Sequence, residues 1–234
     1  MPIDIDSQPT DIGTLNEIVN TLFGEGAQAV DIVILLTILT LLPSILMMLT
    51  GFTRIIIVLS FIRQALGMQQ TPPNQVLIGL ALFLTFFVMQ PTFARVYEES
   101  YVPFTQGEMT QDEFLEAAME PMREFMLYQT FPTDLNFFIA LSGEEFDDLD
   151  DIPNSILIPA FITSEIKHAM FLGFFIYLPF IVIDMIVAST LMALGMMMLP
   201  PAMISLPFKV LLFVMIDGWQ LIIGTLVNTF VRGG

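Results

Sequence analysis

The feature that most constrains this chain is a series of long uncharged runs of apolar residues. Residues 32–53 contain no charge over 22 positions, and residues 169–208 contain a single charged side chain, Asp184. A helix needs about 20 predominantly apolar residues to cross a bilayer. Only 13% of the chain is charged, against roughly 25% in soluble domains. The sequence therefore predicts an all-α, membrane-associated protein.

Prolines divide the apolar runs into two helical hairpins. "TPPNQ" at 71–75 ends one helix, because proline lacks an amide donor and disfavours α geometry in the residue before it. "GMMMLPP" at 195–201 marks a second turn. We predict four segments: a polar N-terminus (1–31), a first apolar hairpin (32–92), an acidic helical region (93–155) and a second apolar hairpin (156–234). Hydropathy and the positive-inside rule predict four crossings, with both termini and 93–155 outside the cytoplasm.

The acidic region is water-facing and carries fifteen of the 24 acidic residues, between Glu98 and Asp151. Thr110 and Glu113 have the spacing of a capping box that starts a helix. Apolar residues then recur at helical spacing. We predict that this stripe packs on its copy in the next subunit; its residues are Phe114, Leu115, Met119, Met122, Phe125 and Met126.

Seven charged residues lie in or beside the apolar helices: Arg54, Arg63, Glu165, Lys167, Asp184, Lys209 and Asp217. Because a charge in lipid costs several kcal/mol, we expect these residues to pair within or between subunits. An alternative remains open for Asp184 and Asp217, which lie at similar distances from the Pro200 turn. At similar depth they would suit a proton- or ion-coupled transporter.

Other chemistry is excluded by composition. The chain has no cysteine and one histidine, which removes thiolate and multi-histidine metal sites. No phosphate loop, dinucleotide motif or hydrolase motif is present, and a membrane-embedded hydrolase would lack a nucleophile and base. Seven basic residues cannot form a nucleic-acid patch. We expect no cofactor, no metal and no enzymatic activity. "MPIDIDSQPT" lacks the regions of a secretory signal, so none is needed or one has been removed.

Three consecutive methionines, Met196, Met197 and Met198, stand between Gly195 and the pair Pro200 and Pro201. Three side chains in a row point in three directions, so a single core face cannot accommodate them. Something must contact all three.

Two long blocks resemble the FliP/SctR family of type III secretion export-gate subunits. They are "FTRIIIVLSFIRQALGMQQTPPNQVLIGLALFLTFFVMQP" (52–91) and "ITSEIKHAMFLGFFIYLPFIVIDMIVASTLMALGMMMLPPAMISLPFKVLLFVMIDGW" (162–219). The wording "GMQQTPPNQVLIGLALFLTFF" is similar to flagellar rather than injectisome members. Together the blocks cover 98 of 234 residues.

The resemblance implies a pore subunit in the bacterial inner membrane, at the flagellar basal body. Several copies in a pentamer-like arrangement join FliQ and FliR type partners in a helical ring, much of it raised above the bilayer plane. The methionine loop then forms a gasket around unfolded export substrates. Physical chemistry agrees, because flexible, polarizable thioethers can close a pore by dispersion contacts and still reshape around different chains. Gly195 would allow the turn, and Pro200 with Pro201 would stiffen its far side.

Overall fold

A computed structural model gives the fold of residues 47–68, 70–196 and 198–231, and also describes positions 33, 36, 37, 40, 41, 44 and 45. The chain divides into two units, residues 1–46 and 47–234. The described positions of the first unit have helical backbone. The elements below belong to the second unit. Within the described residues every regular element is helical, as predicted.

Seven helices are found in the described residues from Phe52 onwards. Helix α2 includes one π-helical turn, Tyr97–Tyr101. The bounds are α1, Phe52–Ala65; α2, Asn74–Thr105; α3, Gln111–Gln129; α4, Pro132–Ser142; α5, Asn154–Ala193; α6, Pro201–Met215; and α7, Gly218–Val231.

Helix α1 is the centre of the unit and packs against α5 and α2. It runs parallel to α5, because Arg54 meets Glu165 and, about two turns further on, Phe61 meets Gly173. Ile55, Val58, Leu59 and Ile62 are fully buried on the α1 face that forms the main core. A second core lies between α2, α3, α4 and the start of α5.

The turn between α1 and α2 follows the proline pattern of the sequence. Helix α1 ends in a Schellman motif, in which Gly67 has φ of +74° and the Met68 amide donates to the Arg63 carbonyl. Pro73 precedes the first residue of α2. Helix α2 then extends to Thr105, beyond position 93 where the acidic region was predicted to begin.

The capping box of α3 is confirmed. The Thr110 hydroxyl accepts from the Glu113 amide at 3.4 Å, and the Glu113 carboxylate accepts from the Thr110 amide at 2.8 Å. Hydrogen bonds from the amide and hydroxyl of Thr110 lower the pKa of Glu113, because they favour its charged form. The first turn of α3 is thus fixed by contacts three residues apart.

The predicted intersubunit stripe on α3 needs correction. Met122 and Met126 are buried in the second core of the chain itself, with Met119 packed against it. Phe125 lies against Phe161, with ring centroids 5.9 Å apart. These residues are therefore occupied within one subunit. The neighbouring α2, α4 and α5 supply the apolar cover that the sequence pattern alone assigned to another copy.

The remaining two stripe residues lie nearer the start of α3. Phe114 packs on Phe104, with ring centroids 4.8 Å apart, and Leu115 is exposed. Leu115 is therefore the fully exposed residue of this stripe, whereas Phe114, Met119 and Phe125 are half-buried.

Helices α5, α6 and α7 form the second apolar half. Among the described residues α2 and α5 are long and apolar enough to cross a membrane, and α6 with α7 would make a third span if their 65° bend lies within it. The bend was not predicted. Eight of the 22 positions of the first predicted crossing, residues 32–53, lie outside the described residues.

The close approach of α1 and α5 depends on Gly173. A Cβ at this position would lie 2.5 Å from the Phe61 ring. We expect Gly173→Ala to lower the free energy of unfolding by about 1–3 kcal/mol, because the helices must separate or the ring must move. Thermal unfolding of the detergent-solubilised protein measures this change.

Gly79 on α2 provides the matched control. A Cβ there would meet no atom within 4 Å, so Gly79→Ala should be neutral or stabilising by up to about 1 kcal/mol through helix propensity. Equal effects of the two substitutions would contradict the proposed steric role of Gly173.

Candidate functional site: the methionine loop and the buried ion pairs

The methionine loop joins α5 to α6 and is started by a glycine in left-handed geometry. Gly195 has φ of +73°, a conformation that costs glycine little because it lacks Cβ. Its amide donates to the Met192 carbonyl, and the Met196 amide donates to the Leu191 carbonyl, both at 3.0 Å. These two bonds form a Schellman motif that ends α5 sharply. Helix α5 therefore ends at Ala193, shortly before Met196, the first methionine of the loop.

Prolines define the other side of the loop. Pro200 precedes α6 and Pro201 is its first residue, where a missing amide hydrogen costs nothing. The side chain of Met198 is 98% exposed and that of Met196 is 47% exposed. Met197 lies outside the described residues. Both described methionines thus stand at the tip of an apolar hairpin, where the chain itself covers about half of Met196 and almost none of Met198.

Arg54 and Glu165 form the most buried charged pair of the described chain. Both side chains are 0% exposed, and Arg54 Nε donates to Glu165 Oε2 at 3.2 Å. The guanidinium also donates to Gln129 Oε1 at 2.9 Å and to Thr229 Oγ1 at 3.1 Å, and lies over the Phe230 ring. One side chain of α1 therefore joins α3, α5 and α7.

A second cluster, centred on Asp134, was missed by the sequence reasoning. Asp134 is in the first turn of α4 and is buried; its carboxylate accepts from Lys167 Nζ and, at 2.8 Å, from Ser164 Oγ. The Ser164 hydroxyl in turn accepts from the Phe131 amide at 3.0 Å. Asp134 had been counted with the acidic region, although its place between Pro132 and an apolar run was a signal that it faces inward. The cluster fixes α4 against α5.

A third pair sets the register of the α5–α6 hairpin. Lys209 Nζ donates to Asp184 Oδ2 at 2.6 Å, and Ser205 Oγ donates to Asp184 Oδ1 at 2.5 Å. The midpoint between residues 184 and 209 lies at Met196 and Met197, rather than at Pro200. Asp184 therefore faces Lys209, and the predicted match in depth between Asp184 and Asp217 is wrong.

The last two charges of the predicted set have no charged partner within the described parts of the chain. Arg63 Nη1 donates to Asn74 Oδ1 and, at 3.5 Å, to the Pro72 carbonyl. Asp217 is exposed at the α6–α7 bend and has φ of +52°. The structure thus combines five of the seven residues into ion pairs and leaves one cation and one anion.

Large apolar surfaces remain open on the long helices. On α2 they include Phe83, Phe86 and Phe87, and on α5 they include Phe171, Phe174 and Phe175, each more than half exposed. Single exposed apolar residues are ordinary, whereas contiguous patches mark protein or membrane contacts. Across the described residues no group of three metal-ligating side chains comes together. The described residues thus present extended apolar faces on two long helices.

Comparison with known proteins agrees with these features. A model of the FliP family matches residues 35–226. The flagellar biosynthetic protein FliP of Pectobacterium carotovorum is 55% identical over 203 residues, covering 86% of this chain and 79% of that protein. The protein of the same name from Bacillus subtilis is 48% identical over 221 residues, which is 92% of this chain and its own full length. The chain spans only 53% of a Buchnera aphidicola relative that is 52% identical to it.

The match extends over both apolar hairpins and the region between them, and the helices that it covers include those long enough to cross a membrane. The resemblance read from the sequence is therefore confirmed. The chain belongs to the FliP family and is a membrane-associated component of the flagellar export apparatus.

Proposed function

We propose that this chain is the pore-forming subunit of the flagellar protein export gate and conducts unfolded substrates across the bacterial inner membrane. The observation that carries the proposal is the methionine loop. Met196 and Met198 are exposed at the tip of an apolar hairpin whose end is fixed by Gly195. A fixed helix end that carries methionine side chains suits a seal around substrates of many sequences, because the thioether chain is unbranched and polarizable.

Assembly into a pentamer-like ring with FliQ and FliR type subunits accounts for the open apolar faces of α2 and α5. Neighbouring subunits would cover some of these surfaces and lipid would cover others. Part of the chain, centred on α3 and α4, would lie outside the cytoplasm. The acidic side chains of that region favour water. No step of this function requires catalysis by the chain.

The coupled-transporter alternative depends on a free carboxylate at Asp184. That carboxylate accepts from both Lys209 and Ser205, so a structural role accounts for its position and its charge in the hairpin. We therefore propose that Asp184 maintains the register that presents the loop. The loop, rather than a carboxylate pair, is the functional element of the proposal.

A photo-cross-linking residue at position 198 tests the proposal directly. In cells where an export substrate is arrested by a folded C-terminal fusion, we expect an adduct between position 198 and the arrested substrate. The matched control is position 83 on α2, where Phe83 is 77% exposed but is expected to face a neighbour or lipid. Adducts at position 83 with none at position 198, in assembled complexes, would contradict the pore role of the loop.

A further inference from the structure

Arg63 and Asp217 are the two charges of the predicted set of seven that have no oppositely charged partner among the residues that the structure describes. Among the described residues the guanidinium of Arg63 donates to two neutral oxygens, Oδ1 of Asn74 and the carbonyl of Pro72. Asp217 has no basic group within 4 Å in the part of the chain that the structure describes. The other five charges of the set are each in an ion pair. Because isolated charges are costly in apolar surroundings, each of the two needs a partner of opposite sign.

Two chains of contacts place Arg63 and Asp217 at the same level along the helix bundle. Both start at Arg54, but one passes through α5 and α6 and the other through α7. Asp184 faces Lys209 in the α5–α6 hairpin, so position 217 faces position 176 of α5. The parallel pairing of α5 with α1, in which Glu165 meets Arg54, places position 176 beside residues 64–65.

The second route passes through α7, which runs antiparallel to α1, because Val58, one turn after Arg54, lines the same cavity as Leu226, about one turn before Thr229. Thr229 meets Arg54, and twelve residues back along α7 place position 217 beside position 66. Both routes put Asp217 within about one helical turn, roughly 5 Å, of the level of Arg63. The two side chains nevertheless form no ion pair within one chain, since Arg63 is held at the α1–α2 turn by Asn74 and Pro72 and Asp217 lies at the α6–α7 bend.

A polar groove lies beside Asp217 on the otherwise apolar α7. Its volume is about 400 Å³, and the polar or small residues that line it are Asp217, Gln220, Gly224, Thr225 and Asn228. A Cβ at Gly224 would meet no atom within 4 Å, so the groove is open to close approach from outside. The side-chain oxygens of these residues are hydrogen-bond acceptors, and the planar guanidinium offers five donors.

We propose that Arg63 of one copy of this chain enters the groove of the next copy and pairs with Asp217. The inference rests on the proposed function, in which copies are arranged around a pore. Copies arranged around a pore are related mainly by rotation about its axis, so opposite charges at one level that do not pair within a copy are placed to pair between successive copies. This is a heterologous contact. Each copy places its own Arg63 beside Asp217 of one neighbour and receives Arg63 of the other neighbour beside its own Asp217. Repetition of this contact neutralises both charges without a further partner.

Cysteine cross-linking tests the contact while it keeps both charges, since the chain has no cysteine of its own. Ser60→Cys lies one turn from Arg63 on the same face of α1, and Gln220→Cys lies in the groove. In the complex assembled with its neighbouring membrane proteins, a short bismaleimide should convert the doubly substituted chain into a ladder of dimers and higher species. Either cysteine alone should give no ladder.

The control pair is Val187→Cys with Ile204→Cys, which line one groove between α5 and α6 of the same chain. This pair should cross-link within the monomer and add no higher species. Asp217→Arg should remove most of the ladder formed by cysteines 60 and 220, and Arg63→Asp together with Asp217→Arg should restore it.

Two outcomes would overturn the inference and leave the proposed function standing. One is an intact oligomer in which cysteines 60 and 220 do not link. The other is a cysteine at 220 that links only to a protein of different sequence. Absence of any oligomer of this chain would instead count against the proposed function, and against this contact with it.

Discussion

Replacement of Glu165 by alanine is expected to lower the free energy of unfolding of the chain by about 3–5 kcal/mol, because it leaves the Arg54 charge buried without a counter-charge. The guanidinium is 0% exposed and would retain only the neutral acceptors Gln129 and Thr229. Since domains are stable by only about 5–15 kcal/mol, we expect a strongly reduced amount of protein in the membrane. Thermal unfolding in mild detergent and swimming of a complemented strain measure the effect.

Two variants make this prediction specific. Ile166→Ala, next along α5 and 43% exposed, should cost little stability in one subunit. Arg54→Met combined with Glu165→Leu should recover most of the stability that Glu165→Ala removes, because an apolar pair of similar size avoids the unpaired charge. If Glu165→Ala were as stable as Ile166→Ala, the pair could not be the connection between the four helices.

Features that depend on contacts within a few residues could be predicted from the sequence. The capping box of Thr110 and Glu113 depends on two bonds across three residues, and the structure contains both. The all-α class and the proline turn at Pro72 and Pro73 likewise follow from local preferences. In each case the physical cause lies inside the segment that carries the pattern.

Contacts between segments that are far apart in the sequence could not be predicted in this way. The pairing of Asp134 with Lys167 requires α4 to fold back on α5, and no pattern in either helix reports that approach. The hairpin register was predicted from Pro200, whereas Gly195 ends α5 five residues earlier and brings Lys209 to Asp184.

The α3 stripe shows the same limit. Its spacing predicted an apolar face, but the choice between another subunit and the chain's own core, which buries Met126, depends on the tertiary fold.

Replacement of Met196, Met197 and Met198 together by alanine is expected to open the resting gate to small ions. Alanine removes the long side chains that would meet across the pore, but it leaves Gly195 and the Schellman end of α5 unchanged. Assembly should therefore be normal while the leak rises several-fold. Collapse of membrane potential, followed with a fluorescent dye in cells that express the complete complex, measures the leak.

The triple substitution by leucine is the matched control, because it keeps nearly the same apolar volume and removes only flexibility. It should hold the resting seal and slow the export of substrates that carry bulky segments, as measured by flagellar protein in the medium. The resting seal would then depend on the volume of the loop side chains, and the passage of different substrates would depend on their flexibility. An alanine variant that assembles fully and stays as tight as the parent would show that the seal lies elsewhere.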